Sequence, residues 1–425
     1  MHNFLKPLLA GRVIAKNAVC LTVVEAIRVL MPFVALPYII KTVGSEKYGI
    51  ISFSHAVIAY FITFADFGLN IITVKDISEN INNKNRISIL FTDFIITRTI
   101  LSCIGLAVIG LMVCFIPLFH EIALVLFFTY ISVFAESLTM TSFFQGYEKM
   151  ENITIVKTIS LLFYVATLFI FVKKESDYVL IPLLQSLGLV ISSVTGIGII
   201  FLKYKVSFVT PSLFRIKRLL KRSFPFSLSR FSVLLNNNIG KIIAGMVLGM
   251  HEVAVLDLAK KINDAAMIPF TMLDQAIYPY NAKNKNKSFA RKAFIIITLL
   301  GVTGATVLYF IIPILIRILG DGQLNESTPL ARFLCIYLIL CSMTYYLGPS
   351  VLVAFGHAKY FNNSVIISSL ATVLLYVSMY YMNLLSLKAF IGIMIVSETI
   401  VLLYRGNYCL KYNLLKPAPQ DNINN

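Results

Sequence analysis

The chain has 425 residues, 58% of them hydrophobic and only 13% charged, against the roughly 25% charged residues of a typical soluble domain. Its formal net charge of +17 raises nucleic acid as a partner, but the lysines and arginines fall in short gaps between long apolar blocks, the pattern of positively charged loops in a multi-pass membrane protein. A soluble catalytic domain and nucleic-acid binding are excluded on these grounds.

A spanning helix needs about 20 mostly apolar residues, and twelve stretches qualify: 13–40, 48–70, 88–115, 119–144, 153–172, 178–202, 223–248, 252–280, 292–316, 329–353, 360–382 and 389–410. The predicted fold is an all-α polytopic membrane protein of about twelve transmembrane helices. The first stretch has Lys6 and Arg12 ahead of it and Lys16 at its start and is too long for a signal-peptide core, so it reads as an uncleaved helix. With the N-terminus inside, the cytoplasmic segments hold 24 lysines and arginines and the opposite side six, which places both termini in the cytoplasm.

Residues 1–202 form an expected N-terminal six-helix bundle and 223–410 a C-terminal one, followed by a cytoplasmic tail at 411–425. The segment 203–222 between the bundles carries seven basic residues. At 100° per residue, Leu213, Ile216, Leu219 and Leu220 share one arc and the basic residues the other, with Phe214 the exception. A cytoplasmic, basic amphipathic linker helix lying on the anionic leaflet is predicted here. Thr42 to Gly49 and Val247 to Ala254 occupy equivalent places in the two halves, a faint internal repeat of the kind found in duplicated transporters.

A charge near the bilayer centre costs about 2.5–3.5 kcal/mol on insertion scales and so marks a cavity or a partner. Such charges are Glu25, Arg28, Asp66, Asp93, Arg98 and Glu136 in the first half. The second half has Arg230, Lys241, Asp257, Lys260, Lys261, Asp264, Asp274, Arg332 and Glu398. Glu25 with Arg28, Asp257 with Lys261, and Lys260 with Asp264 have the spacing of same-face pairs. Arg230, Lys241 and Arg332 have no acid within four residues along the chain. Arg230 and Lys241, three turns apart on nearly one face, flank Asn236, Asn237 and Asn238. This helix is expected to line a water-filled cavity of cationic character, suited to an anionic cargo such as a pyrophosphate or acidic sugar. Arg28, Arg230, Lys241, Lys260, Lys261 and Asn237 are the candidate substrate-binding residues.

The six cysteines lie in or at the ends of apolar blocks without metal spacing, and the chain lacks a nucleotide-binding loop and a nucleophile constellation. No cofactor or metal is expected. An ion gradient is then the natural energy source, with Asp66, Glu136, Asp257 and Asp264 as coupling candidates.

Pro37-Tyr38-Ile39-Ile40, then Val43 to Phe53 (VGSEKYGIISF), then Asp66-Phe67-Gly68-Leu69-Asn70 resemble the opening of the O-antigen flippases, the Wzx or polysaccharide-transport family of the multidrug/oligosaccharidyl-lipid/polysaccharide exporter superfamily. Phe224 to Arg230, Asn236 to Gly249, Ala259-Lys260-Lys261-Ile262 and Tyr278-Pro279 continue the likeness. The sequence departs from the pattern at Ala254 and Leu256, where Gly and Tyr are expected, and at Gly240-Lys241, where the family often shows Asp-Lys.

The resemblance implies two six-helix bundles around a central cavity in the bacterial inner membrane. It also implies a cargo of undecaprenyl-pyrophosphate-linked oligosaccharide moved from the cytoplasmic to the periplasmic leaflet by alternating access. The bilayer and the glycan polymerase machinery are the other expected partners. A multidrug antiporter of the same superfamily is the main alternative and prefers an acidic cavity. A membrane-embedded glycan polymerase is a weaker one, because no outer loop exceeds roughly a dozen residues.

Overall fold

The computed structural model describes the backbone of residues 2–415 and the side chains of residues 33–415. Among the described residues every regular element is helical. Most of the expected tail lies outside them. In chain order the helices are α1 (His2–Asp66), α2 (Leu69–Glu79), α3 (Lys84–Phe115), α4 (Pro117–Glu121), α5 (Ala123–Leu138), α6 (Thr141–Gly146), α7 (Met150–Phe171) and α8 (Leu180–Tyr204). They continue with α9 (Leu213–Val247), α10 (Met250–Ala266), α11 (Ile268–Asn284), α12 (Lys287–Leu319), α13 (Ser327–Tyr345), α14 (Ala358–Tyr381) and α15 (Leu387–Lys411).

Nine helical segments among the described residues are long and apolar enough to cross a membrane, so the chain is a polytopic membrane protein. The expected spans 223–248 and 252–280 are not among the nine. The first carries Arg230, Lys241 and three asparagines, and the second five charges between Asp257 and Asp274. The same residues that suggest a cavity lower the hydropathy that marks a span.

Helix boundaries follow local chemistry. Asn83, Asn286 and Ser386 cap α3, α12 and α15 by accepting from the backbone N–H groups of Arg86, Phe289 and Ala389. The expected span 252–280 is broken between α10 and α11, where Pro269 stands in the first turn of α11. After α13 the helix widens to a π turn over Tyr346–Val353 around Pro349. Proline lacks an N–H and crowds the carbonyl four residues back, so the ladder shifts register there.

The repeat read from the sequence has a backbone counterpart. Gly44, inside α1, has φ 82° and ψ 165°, and Gly249, before α10, has φ 131° and ψ 173°. Both occupy a region that essentially only glycine enters. The two halves thus break their chain in the same way at equivalent positions.

The molecule divides into two compact units, Met1–Leu234 and Leu235–Asn425. In the first, Leu69, Ile77, Phe91, Phe94, Phe143 and Ile200 belong to a buried cluster against which Leu219 packs. The amphipathic stretch is therefore the beginning of α9 rather than a separate helix. Its apolar arc is split: Ile216 is buried and Leu219 meets protein, while Leu213 is 75% exposed. Its basic arc is split too, for reasons that belong to the candidate site. In the second unit Tyr346, buried, donates to the carbonyl of Ala290 and accepts from Asn281.

Candidate functional site

In the first unit the site is built at the end of α1. Asp66 closes that helix, and Phe67 and Gly68, both at positive φ, turn the chain into α2. Helix α9 lies directly on this turn: a Cβ on Gly68 would stand 2.8 Å from Phe226 Cβ and 2.9 Å from the backbone nitrogen of Ser227. The close approach brings Arg230 to Asp66, Nη1 to Oδ2 at 2.6 Å. From α3, Arg98 reaches the other oxygen at 3.8 Å. Asp66 and Arg98 are buried, whereas the Arg230 side chain is 45% exposed. Asp66 Oδ1 and Arg98 Nε have no hydrogen-bond partner. Glu136 joins the fringe of this cluster but is itself paired with Lys157 at 3.0 Å.

Arg230 is the last rung of a ladder. Arg215, Arg222 and Arg230 are seven and eight residues apart, two helical turns each, and so share a face of α9. Arg222 binds Asp76 of α2 through two hydrogen bonds of 2.9 and 2.8 Å. Arg215 binds Asp93 of α3 at 2.7 Å. Three of the basic residues on α9 are thus committed to buried or nearly buried aspartates, while Lys217, Arg218 and Lys221 point outward, exposed.

In the second unit Asp257, on α10, is almost fully buried at 1% side-chain exposure and holds two lysines. Lys241, from the end of α9, is hydrogen-bonded to Oδ1, and Lys261 lies 2.9 Å from Oδ2. The Asp257–Lys261 pair expected from spacing is present. The Lys260–Asp264 pair is not closed: Lys260, buried, donates to the backbone carbonyl of Asn237, and Asp264 is exposed. An α-helical carbonyl about three turns from its C-terminus offers a lysine a partner without its own counter-charge. Asn236 donates to Ser368, whose hydroxyl shares hydrogens with Ser397, and that in turn with Thr372. Asn263 is 2% exposed with both side-chain polar atoms unpartnered.

The two clusters have one plan. Each is a buried carboxylate between two cations, and two cations against one carboxylate leave one net positive charge. In each the acid lies beneath and at least one cation is left partly exposed. Arg230 and Lys241, without an acid nearby in sequence, obtain one from another helix. Glu25 and Arg28 lie outside the described side chains. The acids Asp76 and Asp93 and the cation Lys157 escaped the sequence reading as partners; the seven- and eight-residue spacing of the α9 arginines was the available signal. Among the described residues no group of three or more His, Cys, Asp or Glu side chains is placed to hold a metal ion.

A model of the family described as polysaccharide biosynthesis protein matches residues 14–285. A protein of Escherichia coli (strain K12) named for O-antigen transport is 26% identical over 368 residues, 85% of this chain and 88% of that protein. Among solved structures, an inward-facing multidrug resistance MATE family transporter of the MOP superfamily aligns with a TM-score of 0.73 at 16% identity, covering 91% of this chain and 95% of its own. The lipid II flippase MurJ in its inward closed conformation aligns with a TM-score of 0.73 at 14% identity, covering 92% and 87%. At these identities the structural likeness establishes the fold.

Proposed function

From the premise that the chain belongs to the polysaccharide biosynthesis protein family, as its opening motifs led us to expect, we propose that it is a flippase rather than an enzyme. Its cargo would be an undecaprenyl-pyrophosphate-linked oligosaccharide repeat unit, of O-antigen or a related surface glycan, carried across the inner membrane from cytoplasmic to periplasmic leaflet by alternating access. The observation that carries this reading is the pair of net-positive triads, Arg98–Asp66–Arg230 and Lys241–Asp257–Lys261. Cations held in place by a buried acid, yet partly exposed, suit the oxygens of a pyrophosphate, because charge-assisted hydrogen bonds to phosphate are strong and directional. A multidrug antiporter for cationic compounds would want the reverse polarity.

The triads also suggest how an ion gradient is coupled. When Arg230 or Lys241 turns to the cargo, Asp66 or Asp257 loses one of two neutralising partners. The remaining cation still neutralises the carboxylate, but the oxygen so released is open to a proton or a small cation. The same oxygen then cannot hold its cation and the coupling ion together, which links cargo release to ion exchange. Lys260 and Asn237 add a second polar contact on the α9 and α10 side, and Asp264 and Glu136 remain secondary candidates for the ion.

A deletion strain tests this reading. Single repeat units on the polyprenyl carrier should accumulate in the cytoplasmic leaflet, and the intact gene should reverse it. Normal surface glycan with no accumulation, joined to altered drug susceptibility on overexpression, would replace the flippase with the antiporter.

A further inference from the structure

Within the second unit, α12 and α13 are in close contact at Gly301, where an added Cβ would fall on the Ser342 hydroxyl. Towards their connecting loop they part, and the gap is a groove of about 520 Å³. Its walls are apolar, among them Ala305, Phe310, Phe333, Ile336 and Ile339, and Arg332 stands in it. Phe310 is 70% exposed. Neither triad contributes to the groove.

Arg332 is incompletely satisfied there. Its Nε makes one long hydrogen bond, 3.4 Å, to the carbonyl of Tyr309, and its guanidinium lies 4.8 Å over the Tyr309 ring. Among the described residues no carboxylate lies within ion-pair distance of it. A guanidinium has five N–H donors, so most of its capacity is open towards the groove. Arg332 is five residues into α13, about 8 Å along the axis at 1.5 Å per residue. It therefore lies near the end of its helix rather than at the middle. A backbone carbonyl and a π face hold a cation in place but do not neutralise it, whereas a phosphate diester does both.

We propose that this groove is a binding site for an anionic phospholipid of the bilayer, with its phosphate on Arg332 and one acyl chain along Phe310, Phe333 and Ile336. Basic pockets between transmembrane helices recognise anionic headgroups by this combination of charge and groove. The site is independent of the flippase reading and of the cargo.

The test uses the full-length protein purified in detergent and titrated with phosphatidylglycerol or with phosphatidylcholine of the same chains, with bound lipid counted by native mass spectrometry. Phosphatidylglycerol should bind about tenfold more tightly than phosphatidylcholine, as expected for one charge-assisted contact. Arg332→Gln should abolish that preference and Arg317→Gln, on α12 outside the groove, should keep it. Ile336→Trp, which fills the groove and leaves the cation in place, should weaken both lipids and covers the case in which Arg332→Gln fails to fold. Equal binding of the two lipids by the native protein, or an unchanged preference in Arg332→Gln, would overturn the proposal. Displacement of phosphatidylglycerol by a small excess of undecaprenyl phosphate would overturn it as well, by giving the groove to a polyprenyl chain.

Discussion

The two triads share a plan and differ in material. In the first unit both cations are arginines, one of them buried, and one oxygen of Asp66 lacks a hydrogen bond. In the second both cations are lysines, each in contact with its own oxygen of Asp257. Arginine stays charged wherever it is put, whereas lysine is a flexible point charge with rotatable donors. The first cluster is therefore a rigid fixture whose geometry depends on the surrounding packing, and the second can rearrange at small cost. The difference teaches that equal net charge does not mean equal construction: Asp66 is tied to a buried arginine, Asp257 to two lysines that each keep some exposure.

The largest expected effect breaks the symmetry directly. Asp66→Asn leaves Arg98 buried without a counter-charge, a loss of about 3–5 kcal/mol for an uncompensated buried ion, and should sharply reduce folded protein in the membrane. Asp257→Asn should cost less, because the more buried of its two lysines, Lys241, keeps 16% exposure where Arg98 keeps 3%, and solvent screens it in part. Thermal unfolding of the two variants in detergent decides, and an equal loss would mean that the triads are structurally equivalent after all.

Gly68→Ala comes next. A non-glycine residue in the left-handed region costs about 1–2 kcal/mol, and the added methyl meets Phe226 and Ser227. Helix α9 must lift, and Arg230 with it. The variant should fold less stably than the native chain and lose glycan export more than its melting temperature alone accounts for.

Lys241→Ala sharpens the contrast. The remaining Lys261 still neutralises Asp257, so protein level should stay near normal while surface glycan falls at least tenfold. Arg230→Ala should reduce both, since its pair with Asp66 also fixes α9. Immunoblots alongside glycan gels read the two quantities separately.

The smallest effect is expected at the outer rungs. Arg215→Gln and Arg222→Gln remove the charge of partly exposed arginines from aspartates that are largely buried, but glutamine still offers each aspartate a hydrogen-bond donor, so the loss should be about 1–2 kcal/mol each. Export should be nearly unchanged. A loss as large as that of Lys241→Ala would mean that the ladder, and not the triads, carries the function.

The helical membrane fold was legible because hydropathy is local: long apolar blocks and the positions of Lys and Arg are read one stretch at a time. The equivalence of the two halves was legible at Gly44 and Gly249, where a special backbone demands a special residue. The partners of Arg230 and Lys241 were not, because Asp66 lies 164 residues away and Asp257 sixteen, beyond any rule of helical spacing. Spacing alone also misdirected Lys260 towards Asp264, where a helix carbonyl competes successfully. The beginning of α9 misled for a related reason: an amphipathic pattern says that two faces differ, not which face meets protein.

The central claim is that positively charged triads carry a pyrophosphate-linked lipid across the bilayer. The most direct measurement is the flipping rate of such a lipid in liposomes reconstituted with the purified protein, compared with the Lys241→Ala variant at equal protein content. The account predicts that the native chain equilibrates the two leaflets far faster than protein-free liposomes, and that the variant loses at least tenfold of that rate. A native rate no faster than the protein-free one, or a variant as fast as the native chain, would contradict it.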